Sequence, residues 1–125
     1  MRSSYCGQVV DESYRFDADL AENVLANLKR GKAAGLDWIT AEHLQYSHAL
    51  LSVVLSKLFN LMICTSHVPA CFGQSYTVPL LKNSSSVYNK SITVEDFRDV
   101  SISPVISKVF EHCILDRYAK FFCDK

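Results

Sequence analysis

Two stretches of this sequence alternate between apolar and polar side chains as a strand does, and one polar segment separates them. The first, "SYTVPLLK", places Tyr76, Val78 and Leu80 on one face, and the second runs from about Phe97 to Ile102. Successive side chains of a strand point to opposite faces, so this period of two predicts two short strands. Pro79 lacks a ladder donor, which places the first strand at an edge or a bulge. The stretch between them, "NSSSVYNKS", is typical of a polar turn. These features predict one small antiparallel hairpin.

The segment before the hairpin begins with a clear helical pattern. Asp17 is a favoured N-cap residue, and Leu20, Val24 and Leu28 recur on one helix face. Gly31 is a stop signal for this helix. The last turn is then expected to contain three basic residues, Lys29, Arg30 and Lys32.

Three further helices are predicted. Thr40 caps a short one, "AEHLQYS", and Pro104 is a favourable first residue for the last one. The longest has an apolar stripe expected to face the core, made of Leu51, Val54, Leu55, Leu58, Leu61 and Met62. The last helix has a stripe made of Ile106, Val109, Phe110, Cys113 and Ile114. We therefore predict a mostly helical α+β fold, with residues 1–16 as an extended or frayed lead-in and residues 17–125 as one domain.

Composition supports a folded core and argues against bulk electrostatic attraction to nucleic acid. Of the 125 residues, 49% are hydrophobic and 21% are charged, and 13 basic residues balance 13 acidic ones. Any anion site must therefore be local. Lys82 and Arg98 flank the polar segment and would converge if the strands pair. The basic residues near Gly31 could likewise meet phosphate, or could simply complement a helix dipole.

The five cysteines are odd in number and contain no CxxC pair. "CTSHVPAC" places Cys64, His67 and Cys71 close together, and His112 with Cys113 could complete a zinc site of a hydrolase. Buried or free thiols are the favoured interpretation. Without a signal-peptide pattern, reduced thiols inside a cell are expected, in the nucleus or the cytoplasm. The longest apolar run is interrupted by polar residues, so no membrane span is predicted.

Three stretches in order resemble the N-terminal, fingers part of a reverse transcriptase of the non-LTR, LINE-type retrotransposon class. They are "LKRGKAAGLDWITAEHL", "SYTVPLLKN" and "DFRDVSISPVISKVFEHCILDRY", and they cover residues 17 to 119 approximately. The resemblance implies a fingers subdomain whose last helix leads into a palm. It also implies RNA or an RNA/DNA hybrid as partner and RNA-directed DNA polymerisation as the family activity.

The resemblance also implies site residues. Lys82 and Arg98 match the two cations that the family uses around the incoming nucleotide triphosphate, and an arginine fork suits phosphate oxygens. The basic residues Lys29, Arg30 and Lys32 would lie near the template. Two positions depart from the family pattern: Trp38 stands where glycine is usual, which is expected to reshape the loop, and Asp99 follows Arg98 and is expected to weaken its attraction for phosphate.

The family's Mg²⁺ ions are held on downstream aspartates in motifs that this sequence does not contain. We therefore expect no cofactor and no catalytic residue in this chain, and at most weak nucleotide or nucleic-acid binding. Absence of a covering layer would expose the apolar stripe of the last helix and promote self-association. The alternative is a non-catalytic module that binds protein through exposed apolar helix faces.

Overall fold

The computed structural model describes residues 15–82 and 92–123, and these form a small α+β fold with a two-stranded antiparallel sheet. The predicted order of three helices, a strand, a second strand and a helix is confirmed, and a fifth helix follows. The elements are α1 (Ala18–Ala26), α2 (Ala41–Gln45), α3 (Leu50–Thr65), β1 (Tyr76–Leu81), β2 (Phe97–Ile102), α4 (Val105–Arg117) and α5 (Ala119–Cys123). Most of the predicted lead-in, residues 1–14, and the predicted polar turn, residues 83–91, lie outside the described residues.

The hairpin has a continuous register. Tyr76 pairs with Ile102, Val78 with Val100, and Leu80 with Arg98. Side chains directly opposite each other in an antiparallel pair lie on the same face. One face of the ribbon is therefore largely apolar.

Helix α1 begins as predicted and ends earlier than predicted. The Asp17 carboxylate accepts the Leu20 N–H at 2.7 Å, which caps the first turn. At the other end, the Gln45 side-chain amide donates to the carbonyls of Leu25 at 3.0 Å and of Leu28 at 3.0 Å. The helix ends at Ala26, and these bonds from α2 satisfy carbonyls that its end leaves without an intrahelical partner. The predicted placement of the basic residues in the last helical turn is wrong; they follow the helix in a loop.

An aromatic cluster holds α1, α3 and α4 together. The Phe59 and Phe110 ring centroids are 5.0 Å apart, and Phe16 makes edge contacts with both, at 6.3 and 6.2 Å. The side chain of Asn60 holds the backbone of Phe16 through two hydrogen bonds. The Phe16 N–H donates to Asn60 Oδ1 at 2.9 Å, and Asn60 Nδ2 donates to the Phe16 carbonyl at 2.7 Å. Phe16 is thus a core residue, although the sequence pattern placed it in the lead-in.

Two predicted helix faces need correction. Val54 and Leu61, expected in the core stripe of α3, are 59% and 60% exposed. The stripe of α4 was expected to be exposed, whereas Val109, Phe110 and Cys113 are buried in the core. The reason is that α4 packs across α1 and against the turn at residues 70–73, which supply the covering layer.

Within the described ranges, the longest helices fall short of the length and apolarity needed to cross a bilayer.

Candidate functional site

A groove of about 1120 Å³ separates the apolar face of the hairpin from α1 and α4. The ribbon contributes Tyr76, Val78, Leu80, Val100 and Ile102, which the strand register places on one face. The opposite walls come from Leu20 and Val24 of α1, from Leu28 just after it, and from α4 through Val105. The groove therefore has an apolar lining supplied by both strands and two helices.

Cationic side chains also line this groove. Lys29 and Lys32 enter from the loop after α1, and Lys108 enters from α4. His112 and Asp116 follow Lys108 at intervals of four residues, so the three side chains share one face of α4. Three lysines outnumber one carboxylate here, in a chain whose overall formal charge is zero. The groove thus combines a local excess of positive charge with an apolar lining.

The structure divides the predicted basic cluster between two surfaces. Lys29 and Lys32 line the groove, whereas Arg30 turns toward α2. There its Nε donates to Gln45 Oε1 at 2.6 Å, and its guanidinium lies 5.3 Å from the centroid of the Tyr46 ring. Arg30 thus braces the end of α1 against α2, and it does not join the two lysines at the groove.

A carboxylate supports the same loop. Glu42 accepts the Gly31 N–H at 2.6 Å, and this hydrogen bond is the main cause that lowers the pKa of the Glu42 carboxyl. Gly31 has a φ of 69°, a conformation that a glycine adopts at little cost. The turn that delivers Lys32 to the groove is therefore fixed by α2.

Lys82 and Arg98 lie at the end of the ribbon, outside the groove lining. Arg98 is opposite Leu80, and the Lys82 N–H donates to the Asp96 carbonyl at 2.9 Å, so the ladder continues one step beyond β1. Lys82 and Arg98 are therefore diagonal neighbours on the same ribbon face that borders the groove. The Lys82 ammonium also donates to the Glu95 carbonyl at 2.7 Å, which uses one of its three donors.

Asp99 and Arg98 lie on opposite faces of the ribbon, although they are adjacent in sequence. Asp99 pairs with Pro79 in the register, so its side chain lies on the opposite face of the ribbon. Among the described residues no salt bridge joins it to Arg98. The two charges therefore make no direct contact there, and the expected weakening of Arg98 by Asp99 stays a prediction.

The loop between α1 and α2 is held against both strand β1 and the start of α4. The Tyr76 hydroxyl donates to the Ala34 carbonyl at 2.9 Å. A Cβ added at Gly35 would lie 2.8 Å from Pro104 Cα, so the two backbones touch. The loop, β1 and the strand-to-helix junction are the stretches that carry the resemblance, and they form one contiguous surface.

Trp38 lies in a turn in which its N–H donates to the Gly35 carbonyl at 3.1 Å. Its φ is 60°, in the left-handed region. Trp38 thus takes the left-handed conformation that favours glycine, and the expected reshaping of the loop relative to the family stays a prediction.

Cys64, His67 and Cys71 do not form a metal-binding group in the part of the chain that the structure describes. The two cysteines are exposed, while Cys113 is in the core. Sequence reasoning also missed Lys108 and Asp116. The sequence does contain a pattern that could have revealed them. Polar residues spaced by four share one face of a helix, and here that face differs from the apolar stripe of α4.

A scan of the sequence against protein-family models gives no match, and a search of curated proteins finds no similar one.

Proposed function

We propose that this chain is a nucleic-acid-contacting, fingers-like region of a retrotransposon-type reverse transcriptase, and that its groove binds the backbone of RNA. The observation that carries the proposal is the groove itself: lysines at three positions border an apolar ribbon face. Lysine ammonium groups bind phosphate oxygens, while apolar side chains tolerate any base. This combination suits binding that does not depend on base sequence.

The contiguity of the loop, β1 and the start of α4 supports the proposal. The resemblance to non-LTR reverse transcriptases rests on those stretches, and Tyr76 and Gly35 bring them together. Stretches that resemble one family and also build one cationic surface are more informative than any of the motifs alone. The proposal nevertheless concerns contact with nucleic acid, because the resembled family performs its chemistry on aspartates in motifs that this sequence does not contain.

Lys82 and Arg98 are proposed as a second, smaller contact for phosphate at the ribbon end. The guanidinium of Arg98 can hold two oxygens of one phosphate, and among the described residues the Lys82 ammonium has one hydrogen bond, to the Glu95 carbonyl, out of three possible donors. Their shared face would place a triphosphate or a strand phosphate next to the groove.

The salt dependence of RNA binding tests whether the groove lysines contact phosphates. Three phosphate contacts to a single strand predict a slope of about −2 in a plot of log K against log salt concentration. We expect the double variant Lys29→Ala/Lys32→Ala to weaken binding of a labelled oligouridylate at low salt and to flatten this slope. The matched control is Lys57→Ala/Lys120→Ala, which removes two exposed lysines outside the groove. Absence of binding by the wild-type chain at low salt, or equal loss in both double variants, would contradict the proposal.

The alternative function, a module that binds protein, is favoured by one observation. The outward face of α3 carries Leu50, Val54 and Leu61, each more than half exposed. The variant Val54→Lys/Leu61→Lys should abolish any concentration-dependent association seen by sedimentation while leaving RNA binding unchanged. If RNA binding is absent and association depends on these residues, the alternative replaces the first proposal.

A further inference from the structure

Trp38 is a large apolar side chain that the fold leaves uncovered. It is 83% exposed, and within the described residues its only hydrogen bond is the backbone one to Gly35. Tryptophan is usually among the more buried residues and its N–H usually finds a partner when it is enclosed. Core packing therefore does not account for this side chain.

The backbone at Trp38 is also unfavourable for any side chain. A residue other than glycine in the left-handed region is disfavoured by the contact between its Cβ and the following carbonyl, and Trp38 has a φ of 60°. Glycine would take this turn without that contact. The chain thus holds an exposed aromatic ring at a position that glycine would stabilise, which points to a contact made outside the fold.

The place of Trp38 in the loop beside the groove suggests which contact. Lys32 and Ala33 line the groove on one side of the loop, and Thr40 and Ala41 line it on the other. Trp38 projects from the middle of this loop, whose base is pinned by Gly35 at Pro104. Trp38 itself is not among the lining residues, but it lies in the short loop that connects these two groove-lining segments, two residues before Thr40.

We infer that Trp38 stacks on a base of the nucleic acid whose phosphates the groove lysines hold. The inference rests on the proposed function, and it adds a residue that the resemblance does not supply, since glycine is usual at this place. An aromatic ring beside a cationic groove is a common way to bind a single strand, because every base has a face on which a ring can stack. Charge complementarity selects the polyanion over an apolar protein segment as the occupant.

The chain provides its own probe, because Trp38 is its one tryptophan. Binding of a short oligouridylate is followed twice, by the anisotropy of a label on the RNA and by tryptophan emission. Stacking predicts that emission falls in step with the anisotropy. The Trp38→Gly variant should bind about five- to a hundredfold more weakly, the range that corresponds to one lost base–ring stack. Trp38→Phe should restore most of the affinity.

The stability of the Trp38→Gly variant distinguishes a stacking role of Trp38 from a structural one. Trp38→Gly should resist urea at least as well as the wild-type chain, because glycine relieves the left-handed backbone. Weaker RNA binding in a variant of equal or greater stability cannot be attributed to unfolding. If RNA binds with the expected dependence on Lys29 and Lys32 but emission is unchanged and Trp38→Gly binds normally, the inference fails and the proposed function stands. If the wild-type chain binds no RNA at low salt, both fail.

Discussion

Gly35 lies directly against the backbone of Pro104, so close that a Cβ on Gly35 would be 2.8 Å from Pro104 Cα and 2.9 Å from its nitrogen. This contact joins the loop after α1 to the residue that precedes α4, across almost seventy positions of sequence. Because both partners are backbone, neither can move aside as a flexible side chain would. The contact at Gly35 therefore holds the loop between α1 and α2, which carries the groove lysines, in a fixed position relative to the ribbon.

Gly35→Ala is expected to destabilise the fold by about 1–3 kcal/mol, because the added methyl group overpacks a contact between two backbones. The control is Gly73→Ala, since a Cβ there would meet nothing within 4 Å. Urea unfolding followed by circular dichroism measures both. Equal midpoints for the two variants would show that the loop yields to the methyl group.

Alanine substitutions at core and surface positions on α3 should differ clearly in their effect on the free energy of unfolding. Leu55 is 3% exposed and Leu61 is 60% exposed, although both belong to the apolar stripe predicted for this helix. Leu55→Ala should cost about 2–5 kcal/mol, as buried leucines do, whereas Leu61→Ala should change the free energy of unfolding by about 0.5 kcal/mol or less. Comparable losses at the two positions would mean that α3 presents a different face to α1.

The error in that stripe shows what sequence periodicity can and cannot predict. Two serines occupy the core face of α3: Ser52 and Ser56 are each 6% exposed. Their hydroxyls donate to the Ala49 and Val53 carbonyls of the same helix, at 2.8 and 2.9 Å. A serine satisfied by its own helix can be buried, yet it counts as polar in any pattern. The leucine and valine displaced from the stripe then face outward.

The hairpin was predictable and the groove was not. A period of two is visible in each strand on its own, so β2 was predicted with its observed bounds, Phe97–Ile102. The side-chain contacts that divide the basic cluster are not local. Arg30 is drawn to Gln45, fifteen residues away, while Lys29 and Lys32 stay at the groove. Such a division depends on how α2 packs at the end of α1, which no short window of sequence contains.

Acid should weaken the fold through Asp17. The hydrogen bond from the Leu20 N–H, and after it the Arg117 guanidinium at 2.8 Å, lower the pKa of Asp17 below its ordinary value of 3.8. In this range the unfolded chain binds more protons than the folded one, so stability falls as pH falls. The contribution of Asp17 is complete above about pH 4 and is lost below it, as pH approaches the folded pKa.

Urea midpoints measured between pH 5 and 2.5 test this dependence. Asp17→Asn should start lower than the wild-type chain at pH 5 and converge with it in acid. Asp19→Asn is the control, because it removes one charge from the first turn of α1 without touching the Leu20 or Arg117 contacts. If the wild-type and Asp17→Asn curves run parallel, the cap does not depend on the ionised carboxylate.

Cys113 should resist alkylation while the chain is folded. Burial raises the pKa of its thiol to about 11, and the nearby Asp116 carboxylate adds to this effect. Since the thiolate is the form that attacks an alkylating reagent, both low access and low ionisation slow the reaction.

Cys64, Cys71 and Cys123 are exposed and should react with iodoacetamide at neutral pH. Peptide mapping by mass spectrometry reports each site separately, and a second, isotope-labelled reagent added in urea should mark Cys113. If Cys113 is labelled in native buffer as fast as Cys64, then it is not buried, and the packing of α4 through Phe110 against the Phe59 ring would be wrong as described.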